Sequence, residues 1–202
     1  MARTGAAPGD DDFRDPTHRF QDPADADGLQ DWLTAGAREL AKTLRAVGPD
    51  VPITMPIENP TTRFTARRMT HETAIHRADA VLALGLDYDL DAEAATDALD
   101  EWMELGTLPL HFEVHPWMRE LLGPGRTLGF HATDVATTWT VDLTGDAIRW
   151  SRSDAPAAVA VRGPLVELLL TLYKRRAVDG DRIEVHGDRD LLDYYLERVS
   201  FG

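Results

Sequence analysis

Residues 67–79, RRMTHETAIHRAD, contain a glutamate and two histidines within a few positions of one another, a combination that can bind a metal ion. On a helix, Glu72 and His76 would lie about 40° apart around the axis and about 6 Å apart along it, so their donor atoms can meet on one ion. His71 and His76 would lie roughly 140° apart and cannot share that ion. The spacing therefore predicts Glu72 and His76 as the metal-binding pair and excludes the zinc-protease HExxH arrangement, in which both histidines bind.

Two charged neighbours could support this pair. Arg68 lies one helical turn before Glu72 and could hold its carboxylate, and Asp79 lies one turn after His76 and could accept its second ring N–H. An ordinary helix with charged pairs gives the same pattern, and on periodicity alone we favour it by roughly two to one over a metal site. A catalytic zinc site also needs a third protein ligand, which must come from another element.

The composition argues against binding to nucleic acid or to an anionic membrane surface. The 202 residues include 35 acidic and 21 basic side chains, a formal net charge of −14, so phosphates would be repelled. We find no apolar run of the roughly 18 residues that a membrane span requires, and no secretory signal in MARTGAAPGDDDF. We therefore expect a cytoplasmic protein. The chain has no cysteine, so histidine and carboxylate must supply any metal ligands.

The first half of the chain has the apolar spacing of helices. Residues 1–27 are polar and rich in Pro, Gly and Asp, and we expect a flexible tail there. The period of 3.6 residues predicts three helices, which run from Leu29 to Val47, from Thr62 to Leu84 and from the N-cap Asp91 to Gly106. Gly123-Pro124-Gly125 then interrupts the chain. We place a domain boundary there, between a helical domain at 28–123 and a second domain at 126–202.

After this boundary the apolar residues recur at every second position, the period of strands. Short strands are predicted around Leu128–Ala132, Trp139–Leu143, Ile148–Trp150, Val159–Val161 and Ile183–His186. Two helices, Leu165–Arg176 and Asp190–Val199, complete this half. The predicted fold is α+β, with a partial helical bundle followed by a small domain of an antiparallel sheet and two helices.

Several stretches resemble a known family. RRMTHETAIHRADA, with AATDALDEW downstream, is similar to the signature helices of the mycothiol-dependent maleylpyruvate isomerase family. LGFHATDVATTWTVDL, AVAVRGPLVELLLTLYKRR and IEVHGDRDLLDYYL resemble the C-terminal domain of that family. The resemblance covers about residues 29–199. It implies a DinB-like metal-binding helical bundle followed by an α+β domain with a sterol-carrier-like fold.

The resemblance also implies a function, that of a metal-dependent, mycothiol-dependent isomerase or transferase acting on a small electrophilic substrate. A His, Glu, His triad binds a divalent metal in that family, usually zinc, and the Glu and second His fall on Glu72 and His76. The metal would lower the pKa of the cofactor's thiol and so favour the attacking thiolate. An arginine of the C-terminal domain would assist. Arg175 is the first candidate and Arg162 the next, although a helix C-terminus also favours cations.

The family's first histidine lies on an upstream helix that this sequence lacks, so we expect an incomplete bundle. His18, His111 and His115 are the alternatives for the third ligand. An incomplete bundle would leave an apolar face uncovered, which favours self-association or partner binding. That face includes Leu33, Leu40 and Leu44. Two other interpretations therefore stay open: a truncated, non-catalytic family member that binds a small ligand or a partner chain, and a site completed across a homodimer.

Overall fold

The computed structural model describes residues 20–22, 24–55, 57–178 and 181–199. The helices are α1 (Ala26–Val47), α2 (Thr62–Ala83), α3 (Ala92–Gly106), α4 (Leu110–Val114), a 3-10 helix (Pro116–Leu121), α5 (Leu165–Leu172) and α6 (Arg189–Arg198). The strands are β1 (Thr127–Ala132), β2 (Thr138–Asp142), β3 (Arg149–Ser151), β4 (Val159–Gly163) and β5 (Glu184–Gly187). The chain divides into two units, residues 1–67 and 68–202, and the division falls within α2.

The first unit contains α1. The helix begins at Ala26, before the predicted Leu29, because the Asp25 carboxylate accepts a hydrogen bond from the Gly28 N–H and caps the first turn. None of its residues is buried, and Leu33 and Leu40 of the predicted apolar face are exposed. Most of the predicted flexible tail, residues 1–19 and 23, lies outside the described residues.

The second unit is built around a sheet in the order β3-β2-β1-β4-β5. The α+β class is confirmed, but the sheet is mixed and not wholly antiparallel. β1 pairs antiparallel with β2 and parallel with β4, where Leu128 lies opposite Val159. The connection after β3 crosses to the far side of β1, so β4 enters beside β1 in the same direction. Alternation along the sequence predicts strands but not which strands pair.

A large hydrophobic core runs through the second unit, beside a smaller cluster of Ala78, Tyr88 and Leu170. The large core includes Leu99 and Trp102 of α3, Phe130 and Trp139 of the sheet and Leu168 of α5, all nearly or fully buried. These residues lie on both sides of Gly123, and the predicted domain boundary at that point stays a prediction. Among the described residues, none of the helices combines the length and the hydrophobicity that crossing a membrane would take.

Candidate functional site

Glu72, His76 and Asp79 lie along one face of α2. His76 Nε2 is 3.3 Å from Glu72 Oε2, and His76 Nδ1 is 3.0 Å from Asp79 Oδ2. The predicted convergence of Glu72 and His76 is therefore present, and so is the carboxylate on the second ring nitrogen. The imidazole is largely exposed, whereas both carboxylates are half-buried. His71, as the helix geometry predicted, faces elsewhere: it is buried, and its Nε2 lies 2.8 Å from Asp97 Oδ2.

Arg68 connects this face to α3. Its Nη2 donates to Glu72 Oε1, and its Nη1 donates to Glu101 Oε2 at 2.8 Å. Glu101 is only 1 % exposed and belongs to a helix whose other inward residues are apolar. Glu101 was not predicted as a site residue from the sequence. The available signal was an acid three residues after Ala98, within the apolar stripe of α3.

Arg175 reaches α2 from the turn that follows α5. The predicted helix to Arg176 stops at Leu172, because Lys174 adopts a left-handed conformation (φ 59°) and the Arg175 N–H donates to the Leu170 carbonyl. The Arg175 Nε and Nη2 then donate to the two oxygens of Asp79 at 2.8 and 3.2 Å. The Arg175 Nη1 donates to the Tyr173 carbonyl at 2.7 Å. Arg175 therefore reaches His76 through Asp79.

The charges of this group stabilise one another. The hydrogen bond from Arg175 holds the pKa of the Asp79 carboxyl below its ordinary value, against the opposing effect of burial. The same bond raises the pKa of Arg175. Nearby, burial raises the pKa of the Tyr173 phenol, and the Arg68 guanidinium opposes that change. We call the linked side chains the α2 cluster. Its members are Arg68, Glu72, His76, Asp79, Glu101 and Arg175.

The donor atoms of Glu72 and His76 fit part of a zinc site. Ligands about 2.1 Å from a tetrahedral zinc ion lie about 3.4 Å apart, close to the 3.3 Å between His76 Nε2 and Glu72 Oε2. Asp79 on the other ring nitrogen is the outer partner that metal-bound histidines have. Within the part of the chain that the structure describes, however, no group of three or more His, Asp and Glu side chains could hold a metal ion. These residues therefore fit two positions of a metal centre and do not complete it.

Among the described residues, neither His111 nor His115 forms a group of three potential ligands with Glu72 and His76. The rings of His111 and His115 stack on each other at 6.4 Å, and His115 lies 4.7 Å from the Trp117 ring. His18 lies outside the described residues. The second candidate arginine, Arg162, is exposed on β4, where it pairs in register with Glu184 of β5.

The partly buried position of His111 predicts a pH dependence of stability. Burial, and then the charge of His115, lower the pKa of His111 below its ordinary value of about 6.5. The unfolded chain therefore binds this proton more readily than the folded chain does, and stability falls as pH drops through 6.5. We expect urea unfolding at pH 8 and pH 5.5 to show a smaller loss of stability in His111→Gln than in the wild type. An equal loss in both proteins would contradict this prediction.

A cleft of about 730 Å³ lies beside the start of α3. Its lining residues are Thr70, His71, Asp91, Ala92, Glu93, Ala94, Thr96, Asp97 and Arg152. Glu72 and His76 are not among its lining residues. The Asp91 carboxylate already accepts the N–H groups of Glu93 and Ala94, as its predicted role as N-cap requires.

Comparison with known proteins gives one clear sequence match. The family model described as the mycothiol maleylpyruvate isomerase N-terminal domain matches residues 1–81. The matched segment includes the four α2 members of the α2 cluster, which are Arg68, Glu72, His76 and Asp79. No curated protein matches the chain.

Solved structures give weaker matches. The sec-alkylsulfatase Pisa1 from Pseudomonas sp. has 13% identity over 41% of this chain, which spans 14% of the alkylsulfatase, with a TM-score of 0.36. A UbiJ-SCP2 ubiquinone synthesis protein has 12% identity over 55% of this chain and 92% of its own, with a TM-score of 0.37. Apo sterol carrier protein 2 from Yarrowia lipolytica has 9% identity over 54% of this chain and 98% of its own, with a TM-score of 0.40. Structural similarity this low supports no conclusion about the fold or function of the chain. The predicted resemblance to the mycothiol-dependent maleylpyruvate isomerase family is confirmed at residues 1–81, the segment that matches the family's N-terminal domain.

Proposed function

We propose that this chain is a mycothiol-dependent isomerase or transferase in which Glu72 and His76 supply two ligands to a divalent metal, with zinc as the first candidate. The observation that carries this proposal is the 3.3 Å approach of His76 Nε2 to Glu72 Oε2, inside the segment that matches the family. The metal, when bound, would lower the pKa of the mycothiol thiol. The chain has no cysteine, so the nucleophilic sulfur must belong to the cofactor.

The α2 cluster supports this function by fixing the histidine. Asp79 on Nδ1 sets the orientation of the imidazole and leaves Nε2 on the side of Glu72. Arg175 holds both oxygens of Asp79 and favours its ionised form. The family resemblance suggests Arg175 as a catalytic residue that binds an acidic substrate or the thiol. Its hydrogen bonds favour a positioning role, in which it acts on His76 through Asp79.

One observation favours a second candidate function. The described residues supply two of the ligands that a metal centre needs and no complete group of three. A non-catalytic family member that binds a small ligand or a partner chain would have no need of the third. The two proposals differ in a measurable property, the affinity for zinc.

We expect purified wild-type protein to bind about one equivalent of zinc, and Glu72→Gln or His76→Gln to weaken binding by at least about 100-fold. Isothermal titration of the metal-free protein with Zn²⁺ measures both quantities. His186→Gln is the matched control, because His186 is similarly exposed and also lies near a glutamate, Glu184, at 3.5 Å. This control should bind zinc as the wild type does.

Activity tests the rest of the proposal. With mycothiol present, the wild type should isomerise maleylpyruvate or a related electrophile, and the Glu72→Gln variant should not. A wild type that binds no zinc and shows no mycothiol-dependent turnover would favour the non-catalytic alternative. Zinc binding that is equal in the wild type and His76→Gln would show that the metal lies elsewhere.

A further inference from the structure

A buried carboxylate lies behind the candidate site. Glu101 is on α3, between core residues, and its Oε2 accepts a hydrogen bond from Arg68 at 2.8 Å. The other nitrogen of the same guanidinium donates to Glu72. We propose that Glu101 is a positioning residue which, through Arg68, fixes the Glu72 carboxylate against His76. This inference rests on the proposed function of Glu72 and His76.

The burial of Glu101 is the first argument. Glu101 is only 1 % exposed, so its carboxylate is almost completely removed from water. Removing two charges from water offsets most of their attraction, and a pair of apolar residues often stabilises a protein as well. Stability alone therefore gives little reason for a glutamate at this position. A role in orienting the Arg68 guanidinium would explain it.

The geometry of Arg68 is the second argument. A guanidinium is planar, and its nitrogens point in fixed directions. Once Nη1 is held by a carboxylate anchored in the core, the direction of Nη2 is fixed as well, and that nitrogen holds Glu72 Oε1. The Glu72 Oε2 then faces His76 Nε2 at 3.3 Å. Without Glu101, the long Arg68 side chain could adopt several rotamers. Its guanidinium charge would no longer be shared with Glu101 and would compete with His76 for the Glu72 carboxylate.

The hydrogen-bond inventory of Glu101 is the third argument. Its Oε1 is buried and has no hydrogen-bond partner within the part of the chain that the structure describes. Its described hydrogen bond is the one to Arg68. A glutamate that served to connect several core elements would use both oxygens. Glu101 uses one of them, toward the residue that holds Glu72.

The test is Glu101→Gln, which keeps the shape of the side chain and removes its charge. We expect the imidazole ¹⁵N resonances of His76 in the metal-free protein at pH 7 to change, in the same direction as in Glu72→Gln and to a comparable extent. Adding Glu101→Gln to Glu72→Gln should produce little further change, because Glu101 acts through Glu72. Zinc affinity should fall by about 10–100-fold, as for other residues that orient metal ligands.

Glu167→Gln is the matched control. Glu167 is a second buried glutamate in the same unit, paired with Arg182 at 2.7 Å and Arg176 at 3.3 Å, outside the α2 cluster. Its loss should alter stability but leave the His76 resonances unchanged. Unchanged His76 resonances in Glu101→Gln, or an equal change in the Glu72→Gln background, would overturn the inference. The His76 resonances are measured without metal. A wild type without zinc affinity would therefore refute the proposed function, whereas the positioning role of Glu101 would still be tested by the His76 resonances.

Discussion

Truncation of Trp102 to alanine is expected to lower the free energy of unfolding by about 3–5 kcal/mol. Trp102 is 1 % exposed, and its ring meets the ring of Tyr195 edge-on at 6.1 Å. It belongs to α3 and Tyr195 belongs to α6, so the indole joins elements that lie on opposite sides of the predicted boundary at Gly123. The loss would be a large share of the stability of a typical domain.

Urea unfolding followed by circular dichroism measures this loss. Trp117→Ala is the matched control, because the same side chain is 51% exposed there and its truncation should cost much less. A single transition that shifts as a whole in Trp102→Ala would show that residues 68–199 unfold together. Two separate transitions, with one unaffected, would instead support independent domains divided at Gly123.

Replacement of Asp100 by alanine is expected to cost about 2–3 kcal/mol, because it leaves a buried indole N–H without its acceptor. Asp100 Oδ1 accepts the Nε1–H of the fully buried Trp139 at 2.8 Å and the Nε–H of Arg152 at 3.0 Å. The hydrogen bond that Arg152 donates to Asp100 also raises the pKa of Arg152. Asp100→Asn keeps an acceptor and should lose less.

The same urea experiment tests Asp100, with Asp146→Ala as its control. Asp146 also pairs with an arginine, Arg149, but its side chain is almost fully exposed, and the change there should be within about 0.5 kcal/mol. If Asp100→Ala lowered the free energy of unfolding as little as Asp146→Ala does, the Trp139 N–H would have to donate to another acceptor or to water. The Asp100–Trp139 hydrogen bond would then not explain how α3 is held against β2.

The local part of the candidate site was predictable from the sequence. Glu72, His76 and Asp79 lie within two turns of one helix, so helical geometry alone decides which of them face one another. The same holds for the Asp91 cap, whose partners are two and three residues away. Helices and strands were likewise predictable from the period of their apolar residues.

Contacts between distant residues were not predictable in this way. Glu101 is 33 residues from Arg68, and Arg175 is 96 residues from Asp79. Such pairs depend on how elements pack, and a single sequence does not contain that information. The parallel pairing of β1 with β4 is another example, because each strand has the same alternation whichever neighbour it takes. The family resemblance suggested Arg175, but only the structure connects it to His76 through Asp79.

The ion pair between Asp79 and Arg175 makes the segment that carries the family match dependent on a residue far outside it. The two segments are therefore not independent of each other at this contact. A recombination that joined residues 1–81 to a different partner sequence would keep Glu72 and His76 but would lose the cation that holds the outer partner of the histidine. We therefore expect natural variation at Asp79 and at Arg175 to be correlated, with the acid and the base retained or lost together.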